Sequence, residues 1–498
     1  MGIRTKRFSL DQIYSVFNCI VGAVGDDNYY VFAGRPQPWT DDATPPAVFE
    51  SMKDSVFDTQ KGMLFGKKIT AQNLRMMVKR SPWASNTVYD YYTDTDVHLY
   101  DKNFFVLTDE NKCFKVLFNG QGKRSTVKPT LTQNNAFTTS DGYTWKYMFS
   151  VDPTEMTNFA TPMYFPVGSD VNTVNSAHTG LDVVELTASG VGYLCYVNGK
   201  VQSTLTSSII QIDNYASQDN DFYTRSAFYV TNGPGAGELR QITKYVANTS
   251  GNFVYVNSPV VVVPQLSQYR ISPYIKIVGD GSGAQAICDV NENYALANVQ
   301  IIASGNGYSR ATVVVQSNTS YGVGASIAAY VPPPGGHGSD ASYELGADTF
   351  GVNIIFNGNE NGTIPTESSY RRYGVMLNPM TAANNKVKFT GNTFSNVMEI
   401  TTSPAITFKV GETITSNDAI TQAYVIASNS SITKIVGEKN FEVKQQIVGA
   451  NGVSTGISSI ITPGDIDPTT PKILYINNST PIPRTDKSET VKLMFKIL

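Results

Sequence analysis

The sequence is poor in the residue types that most catalytic and metal sites require. Its 498 residues include three histidines and four cysteines. No two histidines have the spacing of metal ligands, and the HExxH and GxSxG motifs do not occur. Cys19, Cys113, Cys195 and Cys288 lie far apart without a CxxC pair, so neither a zinc knuckle nor a thioredoxin-like site is predicted. We expect four reduced, mostly buried thiols and neither a metal nor a cofactor.

Charged residues are scarce as well. They make up 16% of the chain, the formal net charge is -3, and charges of one sign form no long run. A nucleic-acid binder normally shows a basic face and a membrane-surface protein a polybasic cluster, so neither kind of partner is predicted. Ser9–Val24 is interrupted by Asp11, Gln12 and Asn18, which excludes a signal peptide or a membrane span there. These features predict a soluble protein that folds in a reducing cytoplasm.

The chain is instead rich in glycine and in aromatic residues, with 40 Gly, 28 Tyr and 24 Phe. Its length exceeds what one hydrophobic core usually spans, so two to four modules are expected. We predict a β-rich α+β multidomain protein, in which a small α/β body carries inserted antiparallel β-sandwich or β-repeat modules. The predicted divisions are the N-terminal body (1–175), the first insertion (180–335), a return to the body (336–384), the second insertion (385–465) and closing strands (466–498).

Helical periodicity is confined to the N-terminal part of the chain. A capping box at Ser9–Gln12 predicts a first helix that stops at Gly22. Further helices are predicted over Pro46–Lys61 and, briefly, from Thr70. Strands are predicted over the segments Asn28–Gly34, Lys102–Thr108, Cys113–Asn119 and Thr144–Val151.

Internal repeats mark the predicted insertions. Ala188–Tyr193 matches Ala303–Tyr308, and Gly281–Ala286 matches Gly322–Ile327. A third pair, Phe408–Ile414 and Phe441–Ile447, lies in the second insertion. Such repeats predict small β-modules added to one another. The break Pro332–Gly338 cannot hold a helix or a central strand, and we interpret it as the return to the body.

Few residues suggest chemistry. His337, next to Asp340, could serve as a base or a ligand, although a turn histidine bonded to backbone is the simpler interpretation. Gly120–Ser125 departs from the phosphate-loop pattern and predicts a hairpin turn with two exposed cations. Gly279–Gly283 could form a calcium turn, but predicted strands on both sides favour a plain turn. Acids such as Asp41-Asp42 and Asp26-Asp27 are interpreted as solvated loop residues, and a glycosidase pair built by the fold stays open.

Several segments form an ordered motif series. Tyr30–Trp39 contains a strand that ends in Gly34-Arg35, followed by Pro36 and Pro38 before Trp39. Then come Val78–Trp83, which ends in Trp83, the hairpin Phe105–Val116, and Asp141–Phe149 with Asp141, Gly142, Tyr143 and Trp145. Near the C-terminus lie Tyr370–Pro379, which ends in Asn378-Pro379, and Ile473–Ile482 with Glu489–Phe495.

In this order the segments resemble the baseplate wedge proteins of T-even-like contractile-tailed phages, the eighth-gene products, in an enlarged marine-myophage form. The resemblance covers about 1–165, 335–380 and 470–498, and it implies that Ile473–Ile482 and Glu489–Phe495 form a final hairpin. It implies a structural subunit of the virion tail baseplate, assembled in the bacterial host cytoplasm. It also implies a homodimer that binds other wedge proteins and tail-fibre-connecting proteins. No catalytic residue follows from it, and the motif residues are expected to be structural. The alternative left open is a virion carbohydrate-binding protein or glycosidase at the host surface.

Overall fold

The protein is rich in β-strands. The computed structural model describes residues 5–21, 26–49, 54–194, 197–318, 320–366, 368–383, 386–437 and 441–496. Within these ranges the strands form several sheets and two closed barrels, and helices are few. The prediction of a β-rich fold with several modules is confirmed. The α/β character predicted for the body is not confirmed, because strand pairs in its main sheet are antiparallel.

The helices are short apart from the first. The α-helices are α1 (Lys6–Ile20), α2 (Asp54–Lys61), α3 (Pro153–Phe159), α4 (Val171–Asn175) and α5 (Ala341–Glu344). Short 3₁₀ helices cover Ala71–Asn73 and Leu99–Asp101.

The strands follow one another along the whole chain. The first group is β1 (Tyr29–Gly34), β2 (Met63–Lys68), β3 (Leu74–Lys79), β4 (Phe105–Leu107), β5 (Lys112–Asn119), β6 (Phe137–Thr138), β7 (Tyr143–Ser150) and β8 (Tyr164–Pro166). The second group is β9 (Val184–Val191), β10 (Val197–Thr206), β11 (Ile209–Ile212), β12 (Ala227–Asn232), β13 (Leu239–Asn248), β14 (Gly251–Val256), β15 (Gln268–Ser272), β16 (Tyr274–Gly279), β17 (Gln285–Val290), β18 (Leu296–Ala303), β19 (Ala311–Gln316) and β20 (Val323–Ala329). The third group is β21 (Thr349–Asn357), β22 (Ser369–Leu377), β23 (Met380–Thr381), β24 (Thr393–Ser395), β25 (Met398–Ser403), β26 (Thr413–Ser416), β27 (Gln422–Ser428), β28 (Thr433–Gly437), β29 (Gln446–Val448), β30 (Ser454–Thr462), β31 (Ile466–Asp467), β32 (Lys472–Pro483) and β33 (Ser488–Lys496).

The chain forms two compact units. Unit 1 comprises Met1–Val78, Thr157–Thr161 and Ala347–Leu498, and unit 2 comprises Lys79–Met156 and Pro162–Gly346. Unit 1 contains the sheet β24-β2-β1-β22-β32, a second sheet in which β21 lies between β33 and β3, and a barrel closed by β25 to β30. Unit 2 contains the sheet β4-β5-β7-β6, the sheet β18-β17-β16-β19, the pair β20-β9 and a barrel closed by β10 to β15. The five predicted domain limits stay a prediction.

The first helix begins earlier than its sequence pattern suggests. The hydroxyl of Thr5 caps α1 by accepting a hydrogen bond from the N–H of Phe8 at 3.2 Å. Ser9 lies inside the helix and donates to the C=O of Thr5, so the predicted capping box at Ser9–Gln12 is wrong. The predicted stop, Gly22, lies outside the described residues.

The other two predicted helices are largely wrong. Of Pro46–Lys61, only the end forms α2, while 46–49 has no regular structure and 50–53 lies outside the described residues. The C=O of Pro46 accepts from Nδ2 of Asn478 instead of a helical N–H. The segment after Thr70 makes one 3₁₀ turn and then becomes strand β3, because pairing with β21 and burial outweigh its helical spacing.

The C-terminal segments do not form the predicted hairpin. β32 pairs with β22, whereas β33 pairs with β21 in a different sheet. Arg484 lies between the two strands and is buried, with its guanidinium over the rings of Phe65 and Phe356. The chain therefore crosses from one sheet to the other at this residue. The expectation that the last strand is paired is confirmed up to Lys496.

The glycine repeats of unit 2 pack against each other in a matching way. Tyr193 of one repeat lies so close to Gly322 that a Cβ there would be 2.2 Å from its ring. Tyr308 lies over Gly281 in the same manner, with a corresponding distance of 2.5 Å. In both pairs the tyrosine hydroxyl accepts a hydrogen bond from a backbone N–H of the glycine repeat. The four repeat segments therefore form two equivalent pairs, and in each pair a tyrosine ring packs on a glycine.

The third repeat builds the barrel of unit 1. Phe408 and Phe441 lie in one buried core together with Ile414 and Ile447. Strands β26 and β29, which end the two repeats, pair with each other. The barrel is closed rather than an open sandwich, because β25 pairs with both β28 and β30.

Candidate functional site

The motif at the end of β1 is shaped by backbone contacts. At Gly34 an added Cβ would lie 2.7 Å from the C=O oxygen of Gly62, so only glycine fits there. Arg35 has a positive φ of 59°, and its N–H donates to the same oxygen at 2.7 Å. This turn directs the Arg35 side chain out of the strand and towards Trp39.

Two arginines share one carboxylate beside a tryptophan. The guanidinium carbon of Arg35 lies 3.8 Å from the ring centre of Trp39, and that of Arg372 lies 5.6 Å from it. Nη1 of each arginine is 2.9 Å from Oδ2 of Asp58. Burial lowers the pKa of Arg372, and Asp58 opposes that shift. Trp39 also donates from Nε1 to the C=O of Ser479 at 2.9 Å. We call these residues the Trp39 cluster.

The proline turn next to the Trp39 cluster is held by a third arginine. Arg371 makes a bidentate pair with Asp42 at 2.8 and 2.7 Å and donates to the C=O of Pro36 at 2.8 Å. Asp42 is therefore not the solvated loop acid that the sequence suggested, and Pro38 is exposed on the turn. A cavity of about 600 Å³ opens beside the cluster and has Phe49, 75% exposed, on its lining.

The second group of motif residues forms a core and a turn in unit 2. Trp145 is fully buried, stacks on Tyr143 with ring centres 5.3 Å apart, and packs edge-on against Tyr89. Trp83 packs against this core, and its Nε1 donates to Oγ of Ser125 at 3.1 Å. The arrangement holds β7 to the segment that precedes β4.

Asp141 organises the turn before β7. Its carboxylate accepts from the N–H groups of Thr126, Val127 and Tyr143 and from the hydroxyl of Thr139. Partial burial raises the pKa of this carboxyl, but the bond from Thr139 and the backbone N–H bonds outweigh burial, so the pKa is lowered. The next residue, Gly142, has a φ of 89°, which favours glycine. Asp141 thus acts as a structural acceptor.

Asn378 and Pro379 terminate β22. Asn378 has a φ of 51°, and its Oδ1 accepts from the N–H of Asn28 at 2.9 Å. Its Nδ2 donates to Asp27 at 2.7 Å, so Asp27 is bonded rather than only solvated. The C=O of Pro379 accepts from the N–H of Phe389 at 2.8 Å. These residues lock the strand end but do not meet the Trp39 cluster.

Sequence reasoning missed a buried ionic network. His337 was paired in sequence with Asp340, but Asp340 caps α5 through a bond from the N–H of Tyr343. The structural partners of His337 are Lys115, at 2.9 Å, and Glu344, at 3.8 Å. Burial, followed by Lys115, lowers the pKa of His337 to about 4. His337 does lie in a turn, but its side chain contacts Lys115 and Glu344 rather than the backbone that the simpler interpretation expected.

A visible signal for this network was present in the strands. Lys115 lies within the apolar run of β5, and Lys146 lies within the aromatic run of β7, directly across the ladder. Lysine in the middle of such a strand is rare unless its ammonium has a partner inside. Lys146 donates to the C=O of Asn134, and burial lowers its pKa.

The loops that resembled ligand sites are ordinary turns. Residues 120–122 form a turn in which only Gly120 is buried, and Lys123 and Arg124 are exposed as predicted. It is not a hairpin turn, because β5 pairs with β4 and β7 and not with the next strand, β6. Asp280 of the suspected calcium turn accepts from the N–H groups of Ser309 and Arg310. The hydrogen bond from the Ser309 hydroxyl is the main reason why the pKa of Asp280 is lowered, and the two backbone N–H bonds lower it further.

A polar cleft of about 750 Å³ lies in unit 2 where barrel strands β10 and β15 approach β17 and β18. Its lining includes the side chains of Asn198, Lys200, Gln268, Arg270, Asp289 and Asn298. Asp289 accepts from Arg270 at 2.6 Å and from Nδ2 of Asn298 at 3.1 Å. Asn298 has a φ of 48° beside an irregularity of the β17–β18 ladder. Such irregularities can re-aim a side chain.

The described residues also bear on the cysteines, metals and membranes. Cys113 and Cys288 are buried free thiols, Cys19 is a half-buried free thiol, and Cys195 lies outside the described residues. Burial raises the pKa of Cys288 to about 12. In the part of the chain that the structure describes, no group of three or more His, Cys, Asp or Glu side chains could hold a metal ion. No helix in that part is long and apolar enough to cross a membrane.

Comparison with known proteins gives little. No family model matches the chain, and no curated protein matches it. Among solved structures, it is similar to a chain of a "Virion of native gene transfer agent (GTA) particle". The two share 10% identity over 51% of this chain and 82% of that chain, with a TM-score of 0.15. A likeness this low carries no argument about fold or function.

Proposed function

We propose that the chain is a structural subunit of a phage tail baseplate wedge, which links peripheral fibre-bearing proteins to the inner baseplate. The observation that carries the proposal is where the motif segments lie. Tyr30–Trp39, Tyr370–Pro379 and Ile473–Ile482 contribute β1, β22 and β32, which are neighbours in one sheet. Segments separated by most of the chain therefore build one sheet, which supports their origin in one ancestral body.

The other motif segments support the same proposal. Phe105–Val116 and Asp141–Phe149 contribute β4, β5 and β7, which are neighbours in one sheet of unit 2. The barrels, in contrast, enclose their own cores and come from stretches outside the resemblance. Such a body with self-contained additions is the arrangement expected of an enlarged wedge protein.

A surface suited to assembly lies on β32. This strand is at the edge of its sheet, and Ile473–Pro483 contains no charged residue. Leu474 on this strand is 53% exposed. Edge strands of monomeric proteins are usually protected by charge or proline, and the stretch Ile473–Thr480 of β32 has neither, so it suits a subunit that is covered by a partner. The partners proposed are a second copy of the chain, other wedge proteins and tail-fibre-connecting proteins.

The proposal is tested in the phage itself. A stop codon in the gene for this chain should yield particles without complete baseplates in a non-suppressing host. The full chain supplied from a plasmid should restore complete tails, whereas a phage with a synonymous codon change should behave as wild type. Complete, infectious tails in the absence of the chain would disprove the wedge function. Electron microscopy of the particles provides the readout.

Glycan binding is the second candidate, and the polar cleft around Asp289 favours it. Amide, carboxylate and guanidinium groups are the donors and acceptors that hydroxyl-rich ligands use. The full chain on an array of bacterial oligosaccharides should then bind at least one of them, and Asn298→Ala should abolish that binding while the exposed-loop variant Tyr215→Ala should not. Absence of binding to any oligosaccharide would reject this candidate and leave the wedge proposal unaffected.

A further inference from the structure

A lysine and a glutamate meet in the interior of unit 2. Lys115 lies on β5 and Glu344 at the end of α5, and both side chains are 0% exposed. Nζ of Lys115 is 2.8 Å from Oε2 of Glu344. Two buried opposite charges lose their hydration, and their attraction often does not compensate for that loss. An amide bond between the two groups would remove both charges at once.

The carboxylate of Glu344 is placed for acyl transfer. Its Oε1 accepts from the backbone N–H of Gly338 at 2.7 Å and from that of Asp340 at 3.3 Å. Two backbone donors on one oxygen are the arrangement that stabilises the oxyanion of a tetrahedral intermediate. The other oxygen, Oε2, faces the amine of Lys115 and is free to leave.

A base lies next to the amine. Nδ1 of His337 is 2.9 Å from Nζ of Lys115, and the lowered pKa of His337 keeps the imidazole neutral at pH 7. The ring of Tyr92 lies 4.1 Å from Nζ and packs edge-on against His337, which shields the amine from water. The buried site thus contains an amine, a proton acceptor and a carboxyl group.

Burial favours a neutral amine at Lys115. Lys146 lies directly opposite Lys115 on β7, and like charges in that position repel. Burial is the main cause of the lowered pKa of Lys115, while Glu344 and Asp182 oppose it. A neutral lysine amine is the nucleophilic form.

We propose that Lys115 and Glu344 become joined by an intramolecular isopeptide bond. The Lys115 ammonium passes one proton to Nδ1 of His337, and the neutral Nζ attacks Cδ of Glu344. The Nζ–Cδ bond forms and the Cδ–Oε2 bond breaks. Oε2 leaves as water with two protons that Nζ has lost, one of them returned by His337. Ammonium and carboxylate thus give an amide and one water, and neither an oxidant nor a reductant is needed.

The mass of the full-length protein tests the proposal directly. The denatured chain should be lighter than its sequence requires by one water molecule, and digestion should release one peptide in which residues 115 and 344 are linked. Lys115→Arg should restore the full mass. Lys128→Arg is the matched control, since Lys128 pairs with Asp109 at 2.7 Å on the surface, and it should keep the deficit.

The outcomes are decisive for the wild-type chain, whether or not a variant folds. A wild-type mass equal to that of the sequence would refute the bond, and so would a water loss mapped to other residues. His337→Gln should slow bond formation after synthesis on the order of a hundredfold, followed as the linked fraction over time in a pulse-chase experiment. An unchanged rate in that variant would remove His337 from the proposed step. Neither result depends on the wedge function.

Discussion

Asp141 shows how one side chain can hold a turn together. Its carboxylate accepts hydrogen bonds from the backbone N–H groups of Thr126, Val127 and Tyr143. A buried or half-buried donor that loses its acceptor is destabilising, whereas an exposed ion pair contributes little. The role assigned to Asp141 is therefore stability rather than chemistry.

Replacing Asp141 with alanine should lower the free energy of unfolding by about 1–3 kcal/mol at pH 7, because several donors lose one acceptor. Chemical denaturation of the full chain measures this. Asp109→Ala, at an exposed pair with Lys128, is the control and should leave the unfolding midpoint unchanged. Equal midpoints for the two variants would contradict the role of Asp141.

The stability difference between wild type and Asp141→Ala should depend on pH. The folded-state pKa of Asp141 is lowered from its ordinary value of 3.8, so its stabilising effect is fully present above pH 3.8. That effect is lost as the pH falls through the folded-state pKa and the carboxylate takes up a proton. The difference between wild type and Asp141→Ala should therefore shrink in acid, and a difference that grows below pH 3.8 would contradict the sign.

At the scale of the elements, the glycine repeats require a residue without a side chain wherever a tyrosine ring of the paired repeat packs on the backbone. Gly322 has a φ of 80° and lies under the ring of Tyr193. Gly122 has the same φ of 80°, but an added Cβ there meets nothing within 4 Å. An added Cβ would cause backbone strain at both positions, but it would overlap with a side chain only at Gly322.

Alanine at these two glycines should have unequal effects. Gly122→Ala should lower the free energy of unfolding by about 1–2 kcal/mol, the value for a left-handed backbone conformation. Gly322→Ala should lower it by about 1–3 kcal/mol more, because the Tyr193 ring must move. Denaturant unfolding of both variants decides the matter. Equal losses would show that the ring yields freely and that the tyrosine-on-glycine contact does not organise the repeats.

At the scale of the whole molecule, the barrel of unit 1 is inserted into the chain at two points that lie next to each other. Ser395, just before the barrel, and Asp465, just after it, are joined by two hydrogen bonds of 2.9 and 2.8 Å. The barrel encloses its own core, whose buried side chains all lie between Met398 and Ile457 in the sequence. A short linker can therefore replace the barrel without stretching the chain.

A chain in which residues 397–463 are replaced by a short Gly-Ser linker should fold. The sheet β24-β2-β1-β22-β32 should persist, because its pairs lie outside the deleted segment. Circular dichroism and a cooperative thermal transition would show this, with an equally long deletion across β21 and β22 as the unfolded control. Aggregation of the barrel-free chain would show instead that the barrel supports unit 1.

The sequence by itself determined the local features of this protein. The strand-rich composition, the repeats and the turns at Gly142 and Asn378 were all visible, because periodicity and positive φ depend on neighbouring residues. Asp141 and Trp39 were also picked out, as parts of motifs rather than for their partners.

Only the tertiary structure decided what depends on distant partners. The segment after Thr70 is a strand because β21 is beside it, and β32 and β33 separate because different sheets receive them. The meeting of Lys115 with Glu344 could not be read from two positions 229 residues apart. Pairing and burial energies arise between segments, so a pattern within one segment cannot contain them.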